Sequence, residues 1–242
     1  MHILRALGIN DLRSIRRDSL LLYVLFIPIL MVVLIRIFMP LAGDYFSAKF
    51  QIDIMEHVPL ILSFFFILQI PVIFGLVFGF LILDERDERT LTVLKVTPMS
   101  MNTYVGYRLM SVFICTVIYI TVLIPTTGIF DMQFFIGTIL ISLLSGLFSV
   151  FVLLVLPTFA NNKVEGLALM KGLGILFLGP LAAYFLSSNW QYVFGLLPTF
   201  WPAKAFWLLW EGEAFLLPLL IGLGYFLVLN VWMFKKFIQK TT

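Results

Sequence analysis

Long apolar runs separated by short polar clusters dominate the chain. They fall at about Leu20–Met39, Val58–Leu83, Tyr104–Thr127, Phe134–Pro157, Leu167–Leu186 and Phe215–Phe234. Each is close to the roughly 20 residues that a helix needs to cross a hydrocarbon core of about 30 Å. Alternating strands of about ten residues, the signature of a membrane barrel, are missing from the pattern. The expected fold is an all-α polytopic membrane protein with six transmembrane helices. Pro71 interrupts the second run and predicts a tilted or kinked helix there. Lys171, near the start of the fifth run, reads as a side chain snorkelling to the nearer interface.

The segments between the runs differ in kind. Along Met1–Ser19, Ile3, Leu4, Leu7 and Ile15 share one helical face while Arg5, Arg13 and Arg16 gather opposite, as in an interfacial helix. The pattern is imperfect, because Ile9 sits on the basic side and Asp11 near the apolar side. Leu41–His57 and Gly128–Gln133 read as outer loops. Asn189–Glu213 is apolar and aromatic, carries four tryptophans and is broken by Pro198 and Pro202. Such a segment suits short re-entrant or interfacial helices in the outer boundary. The expected organisation is one transmembrane domain over residues 1–242, with its interfacial helix at 1–19, a charged loop at 84–100 and the outer segment at 189–213.

Composition agrees. Hydrophobic residues make up 62% of the chain and charged residues 12%, against about 25% charged in soluble domains. So few charges cannot coat a globule of this length, and membrane lipid is the expected surroundings. The net charge of +3 is scattered at segment ends, which suits an anionic membrane surface and argues against nucleic acid. With both termini inside, thirteen Lys and Arg fall on the cytoplasmic side and three (Arg36, Lys49, Lys204) outside. That bias predicts cytoplasmic termini for a multi-pass protein of a plasma (inner) membrane. The first apolar run continues to spanning length, so no cleavable signal peptide is expected.

Catalytic chemistry finds little to use. The histidines, His2 and His57, lie outside the runs, no Asp or Glu sits mid-run, and H-E-x-x-H is absent. Intramembrane proteolysis therefore lacks candidate groups, and the chain is read as a non-enzyme. The single cysteine, Cys115, reads as a small hydrophobe. Gly75 and Gly79 form a G-x-x-x-G, and Ser142/Gly146 and Ser145/Ser149 are small-xxx-small pairs suited to close helix packing. Gln69, Thr116, Tyr119 and Thr121 either line a substrate path or hydrogen-bond neighbouring helices.

The block Asp84, Glu85, Arg86, Asp87, Glu88, Arg89 is followed, after Thr90, by Leu91 and Leu94 at helical i, i+3 spacing with Val93 adjoining them, and Pro98 ends the pattern. On composition it is either a docking element for a cytosolic partner or a solvated loop. The stretch resembles the coupling-helix region of type-2 ABC exporter permeases, whose pattern runs approximately D-E-R-x-E-G-T-L-E-x-L-x-x-T-P-x-S. Asp84, Glu85, Arg86, Glu88, Thr90, Leu91, Leu94, Thr97, Pro98 and Ser100 stand in register with it. Arg89 replaces the family's usual Gly, and Thr92 stands where Glu is frequent. The resemblance extends to the interfacial helix, the six spans and the outer segment around Leu197, Pro198 and Pro202.

The resemblance implies that Asp84–Leu91, Leu94, Thr97 and Pro98 contact an ABC ATPase subunit, and that a second permease subunit, the same or similar, completes the path. The chain has no G-x-x-x-x-G-K-[ST], so no cofactor is expected on it and ATP and Mg are expected on the partner ATPase. The aromatic, nearly uncharged spans favour a hydrophobic or amphipathic substrate such as a drug, an antimicrobial peptide or a lipid-like molecule. A haem or polysaccharide exporter permease shares this organisation. A secondary transporter would place ionisable groups or broken helices at mid-membrane in repeated halves, and a regulatory anchor would transport nothing.

Overall fold

The computed structural model describes residues 2–51, 53–87, 101–186 and 188–241. Every regular element among them is helical: α1 (His2–Arg17), α2 (Ser19–Phe50), α3 (Ile54–Asp87), α4 (Met101–Thr126), α5 (Met132–Phe159), α6 (Lys163–Tyr184), a 3-10 helix (Asn189–Leu196), α7 (Phe200–Trp210) and α8 (Leu216–Thr241). Helices α2, α3, α4, α5, α6 and α8 are each long and apolar enough to cross a membrane, as the six runs predict. Of the expected coupling-helix loop at 84–100, residues 84–87 end α3 and 88–100 lie outside the described residues.

One boundary and one stretch of helix interior differ from the sequence pattern. The first run predicts a helix ending near Met39 and a loop from Leu41, yet α2 continues through Pro40 to Phe50, where Gln51 takes a left-handed conformation and closes it. Pro40 removes one backbone donor but not the rotation of the chain. The extra turns are held by edge and tilted contacts among Tyr45, Phe46 and Phe50, with Lys49 over the rings. At about 1.5 Å per residue, 32 residues run to about 48 Å, well beyond a hydrocarbon core. In α3, Pro71 cannot donate to the carbonyl four residues back. The turns before it open to π spacing over Ser63–Leu68, where Gln69 N–H reaches the Phe64 carbonyl.

Helices α3 and α5 form the buried centre, packed along most of their length, with α4 and α8 against the other sides of α5. Their contact depends on small residues. A Cβ at Gly75 would lie 2.6 Å from Val152 Cβ and 2.8 Å from the Ser149 carbonyl, and one at Gly79 would lie 2.6 Å from Leu156 Cδ1. The G-x-x-x-G therefore serves packing inside this chain. So does Gly146, whose Cβ position is 2.7 Å from the Phe113 ring. Helices α2, α4, α6 and α8 leave much of their apolar surface outward, the arrangement required where lipid is the solvent.

At the end of the bundle away from α1, the segment between α6 and α8 folds as the 3-10 helix and α7. Phe200, Ala203, Ala205 and Phe206 of α7 are fully buried. Trp207 Nε1–H donates to Ser63 Oγ at 2.8 Å, inside the π turns of α3. Thr199 Oγ1 donates to the Leu176 carbonyl and Tyr225 OH to that of Leu196. The last two bonds satisfy backbone carbonyls of the broken helices.

Candidate functional site

The charged groups of the described structure concentrate where α1 meets the bundle. Arg108 lies within the second turn of α4, and its side chain is completely buried. Its guanidinium places Nη1 2.7 Å from Asp11 Oδ2 of α1 and Nη2 2.5 Å from Glu85 Oε1 of α3. Tyr104, one turn earlier on α4, donates its hydroxyl to Glu85 Oε2 and accepts from Arg108 Nε–H at 3.2 Å. Tyr107 donates to Asp11 Oδ2 at 2.7 Å. A charge in such a place is tolerated only when paired and hydrogen-bonded on several sides. The planar guanidinium, with five donors in a fixed fork, can hold two carboxylates on different helices at once.

A second cluster lies alongside. Lys163, the first residue of α6, reaches Asp18 Oδ2 at 2.5 Å and Asp84 Oδ2 at 3.2 Å. Asp18 also caps α2, accepting from the backbone of Leu20 and Leu21. Burial pushes the Asp18 carboxyl up, but Lys163 and the Leu21 and Leu20 amides outweigh it and hold the carboxyl below its ordinary range. Arg86 donates to the Pro157 and Ala160 carbonyls at the end of α5, and Lys240 of α8 to those of Thr158 and Ala160. Cations thus satisfy helix C-terminal carbonyls that have no intrahelical donor. Side chains of α1, α3, α4, α6 and α8 and the end of α5 are tied together at this one end.

The expected contact residues divide accordingly. Asp84, Glu85 and Arg86 are in the last turns of α3 and each is engaged within the chain, while Asp87 ends the helix exposed. Glu88, Arg89, Thr90, Leu91, Leu94, Thr97 and Pro98 lie outside the described residues. The four path candidates do not converge on one place. Thr116 is buried and returns its hydroxyl to the Val112 carbonyl, and Thr121 pairs with Ser142 at 3.3 Å. Gln69 is half-buried on α3. Tyr119 packs edge-on against Phe74 at 4.8 Å and lines a cleft.

That cleft, of about 610 Å³, lies between α1, α2, α3 and α4 and is almost wholly apolar. On the other flank of α1 is a polar crevice of about 520 Å³ lined by Asn10, Ser14, Arg17, Asp18, Asp84 and Glu85. Helix α1 thus separates a polar crevice from an apolar cleft, and Asp11 reaches through to Arg108.

The sequence pattern marks Arg108 and Lys163 only as inside charges and gives no prominence to Tyr104, Tyr107 and Asp18. A signal was present in Asp11, which breaks the apolar side of an amphipathic helix. A carboxylate placed there points to a buried cation.

A conserved-family description covers nearly the whole of this arrangement. The family described as "Fluoroquinolones export permease protein Rv2686c-like" matches residues 11–234. The chain belongs to this family. It is 35% identical over 239 residues to the fluoroquinolones export permease proteins of Mycobacterium tuberculosis strains CDC 1551 and H37Rv, with 98% of this chain and 94% of each relative covered. No solved structure matches the chain. The match begins at Asp11 and ends at Phe234, so it spans the ion cluster and all or most of each of the six long helices. As a member of the Rv2686c-like family with six such helices, the chain is a multi-pass membrane protein.

Proposed function

We propose that this protein is the permease subunit of an ATP-driven ABC exporter of the type-2 kind, moving amphipathic drugs of the fluoroquinolone class across a bacterial plasma membrane. The export reading is supported by the names of its relatives in the Rv2686c-like family. The ATP-driven reading is supported by one juxtaposition. The segment that resembles a coupling-helix region covers Asp84–Ser100, beginning in the last turn of α3 and ending just before α4, and Arg108 pins the near end of α4 to the near end of α3 and to α1.

In this reading a partner ATPase seats on residues 88–100 at the cytoplasmic side, where both termini also lie. Closure of two ATPases pushes on that segment. The Asp11–Arg108–Glu85 cluster carries the push to α1, α3 and α4 as one body, because a rigid contact transmits displacement where a loose one absorbs it. A second permease subunit faces this one, and ATP and Mg are held by the ATPase chains, not here. Helix α1 lies in the cytoplasmic interface and the segment 189–213 in the outer one.

The test is reconstitution. The chain is co-purified with an ABC ATPase and placed in proteoliposomes, and uptake of a fluorescent fluoroquinolone is followed. Uptake should require ATP and stop when the ATPase's catalytic carboxylate is removed. Uptake that proceeds without nucleotide and follows an ion gradient would sink the proposal.

A further inference from the structure

We infer that the apolar cleft between α1 and α4 is a binding site for aromatic organic cations, loaded from the membrane leaflet beside α1; the inference rests on the drug-export reading above. Three observations carry it. The first is shape and lining. Phe74, Phe78, Tyr119, Leu25 and Ile118 wall a space of about 610 Å³, within the range of pockets that enclose drug-sized ligands. Aromatic walls favour a flat or cationic aromatic body.

The second is charge. Among the described residues that touch the cleft, Asp11 is the charged one, only 5% exposed. Behind it are two carboxylates, Asp11 and Glu85, against the single guanidinium of Arg108. Arg16 borders the shallower groove that adjoins the cleft at Tyr119, but it is exposed and so is screened by water and salt. The third is an uncommitted acceptor. Tyr107 and Arg108 both bind Oδ2 of Asp11, and Oδ1 takes neither bond. A ligand cation at Oδ1 gains a short, poorly screened attraction, while its ring system fills the cleft. An acyl chain would fill the same space but gain nothing from Asp11.

Cys115, the single cysteine of the chain, lines the cleft and reports occupancy. The full-length protein in proteoliposomes is labelled with N-ethylmaleimide in the presence of tetraphenylphosphonium or tetraphenylborate, ions of like shape and opposite charge. Tetraphenylphosphonium should slow labelling of Cys115 by about tenfold at saturation, and tetraphenylborate by much less, a difference expected from one charge near a buried carboxylate. Asp11→Asn should erase the difference between the two ions. Should that variant elute as aggregate, Ser111→Phe, which fills the cleft, should slow labelling with no ligand present and abolish the response to tetraphenylphosphonium. Equal protection by both ions, or protection by neither, overturns the inference. Protection with no ATP-dependent uptake would leave the site standing and remove the exporter reading. Uptake with no protection would do the reverse.

Discussion

Asp11 Oδ2 lies 2.7 Å from Arg108 Nη1, and this contact joins an amphipathic helix near the N-terminus to the interior end of a spanning-length helix. Both partners are buried, Arg108 completely and Asp11 to within a few per cent. A buried pair of this kind is weak evidence for stability by itself, but removing one member leaves an uncompensated charge. Here Arg108 answers two carboxylates, so it is the member whose loss matters most.

Arg108→Met should therefore destabilise the protein by roughly 3–5 kcal/mol, and Asp11→Asn by clearly less, because Tyr107 can still donate to the amide oxygen. Adding Asp11→Leu and Glu85→Gln to Arg108→Met should recover most of the loss, since no buried charge is then left. Thermal unfolding in detergent reads all three. A single variant Arg108→Met that melts with the wild type would show that the cluster carries no such strain.

The α3–α5 contact makes a graded prediction. At Gly75 a new Cβ meets Val152 Cβ and a backbone carbonyl, neither of which can swing away. At Gly79 it meets first the Cδ1 methyl of Leu156, the end of a flexible side chain. Gly75→Ala should cost about 1–3 kcal/mol and Gly79→Ala less than that. Unfolding midpoints measured side by side decide it, and the reverse order would place the helix contact elsewhere.

What the chain discloses on its own follows from what its solvent demands. Six spans are legible because lipid requires about 20 predominantly apolar residues in a row, and runs such as Phe134–Pro157 supply them without a single charged residue. The extension of α2 past Pro40 is not legible, because proline and the polar residues after it signal a loop in water and in membrane alike. It is settled by contacts among Tyr45, Phe46, Lys49 and Phe50. Arg108 is the harder case. Its partners lie on two other helices, and no local spacing records which helices meet. Only Asp11, misplaced on the apolar side of α1, hinted at it. Of the path candidates, Thr116 and Thr121 have hydroxyls taken up by the helices themselves, an outcome that periodicity cannot distinguish from an open path.

The Asp18–Lys163 pair predicts a pH dependence with a definite sign. The folded-state value of Asp18 lies below its ordinary value of 3.8, so its contribution is fully present above that value. It is lost as pH falls through the lower, folded-state value, where the carboxylate must take up a proton and release Lys163. Stability measured from pH 6 down to strongly acid conditions should fall in the wild type, and this portion of the fall should be missing in Asp18→Asn. Identical acid limbs in the two proteins would show that Lys163 does not hold this carboxylate.

Residues 88–100 separate docking from transmission. If they seat an ATPase, replacing Glu88 and Leu91 together (Glu88→Ala with Leu91→Ala) removes one charge and one apolar knob from that contact and leaves Asp11, Glu85, Tyr104 and Arg108 unaltered in sequence. The variant should insert and melt like the wild type, yet lose ATP-dependent uptake while the ATPase continues to hydrolyse ATP. Arg108→Met should differ: the ATPase still co-purifies, because the docking surface is intact, but the push no longer reaches α1 and α4 as one body. Co-purification, hydrolysis and uptake measured on both variants distinguish the two steps. Undiminished coupling in the double variant would remove residues 88–100 from the role proposed for them.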